Sequence, residues 1–349
     1  MNVFRASENP IITPADVTPS RPDFETIGVF NAGVARYNDT VILLLRVAER
    51  PLAPDERACV VPMYDAGANR LVTREFDLSD PRFDFSDPRS VQGPSAVYLT
   101  SLSYLRIARS RDGVHFEIDD APALFPDNIY EAYGIEDPRI SVIGGRYYVN
   151  YSAVSSLGVA TALASTEDFV TFQRHGIILP PDNKDVAIFP EKIQGRYYAL
   201  HRPSTSALGR PEIWLAESPD LLCWGHHRRV IGLRPDSWES ARIGGGAVPF
   251  RIDQGWVEIY HGADTENRYC LGAVLLDADE PWKVIARSRQ PILEPQAPYE
   301  CEGFFGDVVF SCGALYEEKT VKIYYGVADT SMAYAEIAID ELLNSLTEA

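Results

Sequence analysis

Two carboxylates stand side by side in Gly134-Ile-Glu-Asp-Pro-Arg139, at the start of an alternating apolar run. Proline cannot donate to a sheet ladder, and it restricts the residue before it to extended geometry, so Pro138 fixes the direction of Asp137. Adjacent side chains of an extended chain face opposite ways, which predicts that only one of Glu136 and Asp137 looks into any site. A second cluster is cationic. Lys192 precedes the Ile193-Gln-Gly-Arg196 turn, and His201 and Arg202 close the strand that follows it. A two-residue turn pairs Ile193 with Arg196 and Lys192 with Tyr197, and period-two counting then puts His201 on the face of Lys192. Arg46, at the end of Val41-Ile-Leu-Leu-Leu-Arg46, emerges from a buried strand, where an arginine is costly unless paired. An acid with Lys, His and Arg nearby suits an anion held beside a proton donor. The alternative is an acid pair merely solvated or paired with Arg139.

The elements that must position these groups are strands. Leu105–Gly113, Val159–Asp168, Ile213–Asp220 and Tyr269–Asp277 each read as a strand ending in a polar turn, each followed by an aromatic residue. They recur at roughly 50-residue intervals, the scale of one propeller blade. A second set, Gly145–Ser152, Gly195–Arg202, Gly255–Gly262 and Val321–Gly326, has period two and is mostly entered through glycine. Repeated small antiparallel sheets predict an all-β chain, a five-bladed β-propeller with one blade beginning near Phe30 and four repeats after it. A β-sandwich is the competing architecture. The stretch from Arg50 to Val97, rich in Pro, Asp and Arg, breaks the rhythm and reads as an elaborated connection at about 50–97. No composition shift marks a linker, so the whole of 1–349 is expected to be one domain. Met332 to Leu346 reads as a closing helix or final strand.

Composition narrows the partners. The 349 residues are 46% hydrophobic, enough for a large core, and carry 32 basic against 50 acidic side chains, a formal charge of -18. That mean field repels a polyanion and argues against nucleic acid. No apolar run approaches the roughly 20 residues that span a bilayer, and the N-terminal residues have no apolar core of the secretory kind. A cytoplasmic location without membrane association is the expectation. The five cysteines are scattered, with no C-x-x-C pair and no metal ligand set. Gly244-Gly-Gly246 lacks the Lys-Ser/Thr of a phosphate loop and instead predicts close backbone approach.

Several motifs in order then carry a resemblance: Asn9-Pro-Ile-Ile-Thr-Pro14, Phe30-Asn31, Leu45-Arg46, Gly134–Arg139, Phe189-Pro-Glu-Lys192, His201-Arg-Pro203, Ile243–Gly246, Tyr260-His-Gly262 and Tyr325-Gly-Val-Ala-Asp329. Together they resemble glycoside hydrolase family 130, the β-mannoside phosphorylases, almost end to end. The resemblance implies a five-bladed propeller in which inorganic phosphate cleaves a terminal β-mannoside, 1,2- or 1,4-linked, with inversion to give α-mannose 1-phosphate. It places the catalytic acid on Asp137, phosphate binding on Arg46, Lys192, His201 and Arg202, and sugar-pocket or supporting roles on Asn31, Arg139, His261 and Asp329. In the family the acid is thought to act through a hydroxyl of the bound mannose. Ala32 stands where a serine is common, and the insert departs from shorter relatives.

From below, inverting cleavage needs an acid on the leaving oxygen and a nucleophile on the opposite face. Phosphate is already anionic, so no general base, cofactor or metal is required; phosphate is a co-substrate. Asp137 is expected to have a raised pKa, from partial burial or from the approaching phosphate dianion. A hydrolase on the same fold and a non-catalytic carbohydrate-binding propeller are the rivals. Exposed sheet edges leave a homo-oligomer open.

Overall fold

The structure is a computed structural model describing residues 1–204 and 208–348. It is all-β, with only two short α-helices among the described residues, Pro298–Cys301 and Ile339–Asn344. An eight-stranded sheet begins the chain and consists of two antiparallel groups. The first is Phe24–Tyr37, Thr40–Pro51, Leu102–Ser110 and the short Glu117–Ile118; the second is Gly134–Ile143, Arg146–Ser155, Gly158–Thr166 and Gln173–Leu179. A single parallel pairing, Gly134 with Ser103, joins them. A four-stranded sheet follows, Asn183–Ile188, Tyr197–Pro203, Ile213–Ser218 and Gly225–Ile231. The next is built on Arg242–Gly245, Gly255–Ala263, Tyr269–Leu276 and Val284–Ser288. The last, Val309–Glu317, Thr320–Val327 and Ser331–Ala338, is completed by Phe4–Arg5 from the N-terminus. The C-terminal stretch expected as helix or strand is both: after Ser331–Ala338 come the helix Ile339–Asn344 and the strand Leu346–Glu348, which adds to the preceding sheet.

The polar turns that repeat along the sequence have one physical job. At the end of Leu102–Ser110, Ser110 Oγ accepts from the Gly113 amide while Asp112 accepts from the Val114 and His115 amides. Thr166 with Asp168, and Ser218 with Asp220, repeat the arrangement. A hydroxyl and a carboxylate thus satisfy amides the ladder leaves open, and the chain reverses toward the outer strand.

The cores lie between consecutive groups of strands. Ile135, Val149 and Ala162 pack with Ile42 and Leu44; Val186 and Ile188 pack with Leu163; Trp256 and Ile243 pack with Phe189 and Leu200; Val309 and Ile323 pack with Val257 and Ile259. The series closes where Tyr324, Met332 and Tyr334 of the last sheet meet Val29, Leu43 and Val47 of the first. The connection within the first group, by contrast, has two hairpins of its own, Ala58–Asp65 with Arg70–Asp77 and Ser90–Gln92 with Val97–Leu99, around a small core of Val61, Phe76 and Val91. Among the described residues no helix is long and apolar enough to cross a membrane. All five cysteines are free, and Cys223 is exposed.

The strand that carries Asp137 is anchored just upstream. Buried Glu131 accepts from the Tyr151 hydroxyl at 2.8 Å and from Arg174 at 2.7 Å, and Arg174 also donates to the Phe125 carbonyl. Removing one partner of a buried pair leaves the other charge uncompensated. Glu131→Ala is expected to lower the free energy of unfolding by about 3 kcal/mol, measured by urea denaturation; a loss of a few tenths would mean that the pair does not hold this turn.

Candidate active site

Three strands at the centre of the molecule are broken at corresponding points. The ladder of Phe24–Tyr37 shifts between Phe30 and Gly33, that of Gly134–Ile143 between Glu136 and Arg139, and that of Asn183–Ile188 between Lys184 and Ala187. At each bulge sits a non-glycine residue in the left-handed region: Asn31 at φ 51°, Asp137 at φ 50° and Asp185 at φ 54°. Asp329, after the last sheet's Thr320–Val327, is a fourth at φ 49°. Asn and Asp tolerate this conformation better than other side-chain-bearing residues. Bulges re-aim side chains, and here all four line one cavity of about 470 Å³.

Within it, Asp137 Oδ1 accepts from Asn31 Nδ2 at 2.9 Å and from Arg46 Nη1 at 3.0 Å. Arg46 also donates to Glu136 at 2.9 Å and to Ser103 Oγ at 3.0 Å, and its guanidinium lies 4.6 Å from the Phe30 ring centre. Glu136 and Asp137 therefore face the same cavity, contrary to the expectation that only one would. Strict alternation fails because Asp137 sits within the bulge that follows Glu136, in the left-handed region.

Asp185 is a second hub. Its carboxylate is 2.9 Å from Arg202 Nη1, 3.3 Å from His261 Nε2 and 3.5 Å from Arg139 Nη2. Gly244 makes room for it: a Cβ there would lie 2.4 Å from Asp185 Oδ2 and 2.6 Å from His261 Cε1. The close approach expected of the triple glycine is thus real.

Six of the expected site residues, Asn31, Arg46, Asp137, Arg202, His261 and Asp329, line this cavity. Three do not. Lys192 is exposed beside the hairpin turn, its ammonium 4.7 Å from the Tyr197 ring centre. The turn itself has the expected Ile193–Arg196 pairing. The cavity, however, lies at the other end of the hairpin, where Lys184 registers with Arg202. Lys192 is eight positions beyond Lys184, past the end of the strand Asn183–Ile188. His201 is buried away from the cavity, with Nδ1 3.1 Å from Asn183 Oδ1 and Nε2 3.1 Å from His227 Nδ1. Burial, then repulsion from His227, pushes its pKa down to about 3, so it carries no charge for an anion. Arg139 is only 1% exposed and donates to the carbonyls of Asp137, Gly245 and Gly246, tying the second group of strands to the sheet built on Arg242–Gly245. It supports the site from behind.

Lys184, Asp185, Arg242 and Arg89 line the cavity and were not singled out from sequence. A usable signal existed for the first two: Lys184-Asp185 opens its strand as Glu136-Asp137 opens the preceding group. Arg242 donates to the Tyr269 hydroxyl and to Asn267, and Lys184 makes no ion pair among the described residues. Among the described residues neither is paired with a carboxylate.

The electrostatics separate the carboxyls. Burial disfavours a charged Asp137, but the Arg46 and Arg139 guanidiniums, Asn31 and Lys184 outweigh it and hold the carboxyl below its ordinary value. The raised value expected for this residue is therefore not what these surroundings produce. Asp185 is held well below the ordinary range: burial opposes this, and Arg202, His261 and Arg139 overcome it. Burial is the largest influence on Asp329, and with Asp137 and Glu136 it pushes that carboxyl up to about 6 against the pull of Arg46 and Arg89. His261 is lowered, chiefly by burial, despite Asp185.

The family model described as beta-1,4-mannooligosaccharide phosphorylase, that of glycoside hydrolase family 130, matches residues 96–348. The chain belongs to glycoside hydrolase family 130. A beta-1,2-mannobiose phosphorylase of Listeria innocua is 53% identical over 350 residues, covering 99% of each chain. The solved structure of the Listeria innocua enzyme with beta-1,2-mannobiose superposes with a TM-score of 0.96 over 99% of both chains. A 1,2-beta-oligomannan phosphorylase of Thermoanaerobacter is 38% identical over 314 residues, 86% of this chain and 99% of its own. Like these family 130 relatives, the chain is an enzyme, and its all-β sheets have the family's propeller-like fold.

Asp329 gives a pH-dependent test. Its folded pKa of about 6 lies above the roughly 4 of a free aspartic acid, so the folded chain holds more protons between these values and stability falls as pH rises through that window. Its open cavity face reduces the cost of the charged form to about 2 kcal/mol above the window. Asp329→Asn is expected to be more stable than the parent at pH 8 and equal to it near pH 4 in urea denaturation. An equal gain at both pH values would rule out a raised carboxyl.

Proposed function

We propose that this enzyme catalyses the inverting phosphorolysis of β-1,2-mannobiose, with inorganic phosphate as nucleophile and α-D-mannose 1-phosphate and mannose as products. Phosphorolysis of β-mannosides is the activity carried by the family 130 relatives; the 1,2 linkage is drawn from the relative that matches 99% of the chain at 53% identity. The architecture that fits is a single domain with five blades. Each blade packs on the next through its own core, and the last packs on the first.

The observation that carries the reading is the division of charge around the cavity. Lys184 and Arg202, from the sheet of Asn183–Ile188, and Arg242, from the sheet that follows it, form its cationic part, with Lys184 and Arg242 lacking carboxylate partners among the described residues. Asp137 and Asn31 stand on strands of the first and second groups. Phosphate held by the three cations would attack C1 of the terminal mannose. The C1 to oxygen bond breaks as the new C1 to phosphate oxygen bond forms on the opposite face, and the leaving oxygen takes a proton that originates on Asp137. The dianion's field would raise Asp137 against the cations that hold it low, so phosphate would prepare the acid as well as supply the nucleophile. Asp185 serves as a positioning residue, holding Arg202 and His261 while being itself too stabilised as an anion to hold a proton for donation.

The decisive experiment is product analysis of β-1,2-mannobiose turnover with and without inorganic phosphate. Mannose 1-phosphate formed only with phosphate supports the reading; equal mannose release in both overturns it in favour of hydrolysis, for which Glu136 or Asp329 would have to be the base. Asp137→Asn is expected to lower kcat by at least a factor of about 10³ while retaining mannobiose binding. Lys184→Ala and Arg242→Ala are expected to raise the phosphate KM about tenfold or more, as loss of a charge-assisted contact does. Lys192→Ala should leave it unchanged.

A further inference from the structure

One carboxyl of the cavity has no task in the bond-breaking step. Glu136 lines the cavity beside Asp137, yet inverting phosphorolysis asks for a single acid and a nucleophile that is already anionic. Its placement requires a break in the strand. Consecutive residues of an extended chain face opposite ways, and only the shift in the ladder between Glu136 and Arg139, with Asp137 at φ 50°, turns both carboxyls toward one space.

What joins the two is Arg46. Its Nη1 donates to Asp137 Oδ1 at 3.0 Å, its Nη2 to Glu136 Oε1 at 2.9 Å and its Nε to Ser103 Oγ at 3.0 Å, while its guanidinium lies 4.6 Å from the Phe30 ring centre. Three nitrogens and one face are engaged at once. Ser103 is held in turn, because Gly134, at φ 117°, lets the strand of Glu136 close on it; a Cβ there would stand 2.7 Å from the Ser103 amide nitrogen. Arg46 is therefore a fixed positive charge shared by two carboxyls. Glu136 exerts the largest pull on it, ahead of Asp137 and Asp329.

We propose that Glu136 is a positioning residue that holds Arg46 and takes up part of its charge, so that Asp137 can carry the proton the reaction requires. The surroundings make such a partner necessary. Asp137 is faced by Arg46 from the strand Thr40–Pro51, by Arg139 on its own strand, by Lys184 of Asn183–Ile188, by Asp329 beyond Thr320–Val327 and by the buried Cys312 thiol of Val309–Glu317. Three of these are cations, and each favours the ionised form of Asp137. Without Glu136 the whole charge of Arg46 would bear on Asp137 and Asp329. The Glu136 side chain is 17% exposed, so an amide in its place keeps the shape and opens no core.

The inference rests on the phosphorolysis reading, and its test separates the two. kcat for β-1,2-mannobiose is measured at saturating phosphate from about pH 5 to 9 in the parent, Glu136→Gln and Glu136→Asp. With the charge at this position gone, Asp137 loses its proton at lower pH, so Glu136→Gln is expected to move the alkaline limb down by about one unit or more. Glu136→Asp, which keeps the charge, is expected to restore most of that shift. A lower kcat with the limb unmoved overturns the proposal, since a merely structural part would act equally at every pH. An effect confined to the KM for mannobiose also overturns it and makes Glu136 a sugar ligand. If the parent turns over no mannobiose with phosphate, the function is wrong. The charge sharing is then read from a carboxyl-carbon NMR titration of Asp137 in the parent and Glu136→Gln, with Asp137→Asn assigning the signal. A lower midpoint in Glu136→Gln is expected, and an equal midpoint overturns the proposal.

Discussion

The site depends on keeping the deeply buried ionised groups Arg139, Asp185, Arg202 and Asp137 in a protein interior with a partner for each. Arg139, almost wholly buried, has its donors spread over three carbonyls, and Asp185 stands 3.5 Å away. Removing ions from water costs several kcal/mol each unless partners replace the lost hydration. Asp185 therefore needs Arg202 and His261, Arg46 needs Glu136 and Asp137, and the two hubs are linked through Arg139. These groups sit on strands from different parts of the chain, so the network forms only when the sheets are assembled. Conversely, it fixes how the sheets meet at the centre.

Backbone strain is part of the same arrangement. Asn31, Asp137, Asp185 and Asp329 all occupy the left-handed region, at a cost on the order of 1 kcal/mol each. The bulges they create break strict alternation and bring consecutive residues, Glu136 with Asp137 and Lys184 with Asp185, to a single cavity. The residue type is selected twice at these positions, by the conformation it must tolerate and by the polar group it must present.

This explains which parts were legible in the sequence. The strands were readable because each sheet has one set of side chains facing a neighbouring core, which writes a period of two. The polar turns were readable because the same hydroxyl and carboxylate caps recur. Asp137, Arg46 and Arg202 could be named because their motifs resemble those of family 130. Lys192 and His201 were misplaced because periodicity says which face a residue occupies and nothing about which end of a hairpin holds the cavity. Arg139 looks like a site cation in sequence, yet its three carbonyl acceptors include Gly245 and Gly246, more than a hundred residues away. Arg89 lies in the segment that breaks the repeat, where no pattern could relate it to the cavity it lines.

Two carboxyls of the cavity are shifted in opposite directions. Electrostatics alone would make Asp329 the proton donor, since its pKa is pushed up to about 6 while Asp137 is held low by Arg46. Position argues the other way, because Asp137 is the carboxyl gripped by both Asn31 and Arg46. The two views are reconciled if the acid is completed by its substrates. An anion bound at Lys184, Arg202 and Arg242 would cancel part of the positive field that keeps Asp137 ionised, and the same anion is the nucleophile the reaction requires. A site arranged in this way would gain its acid only when phosphate is already in place, which joins proton transfer to phosphorolysis and leaves a solitary water with neither an activated acid nor a reason to be held.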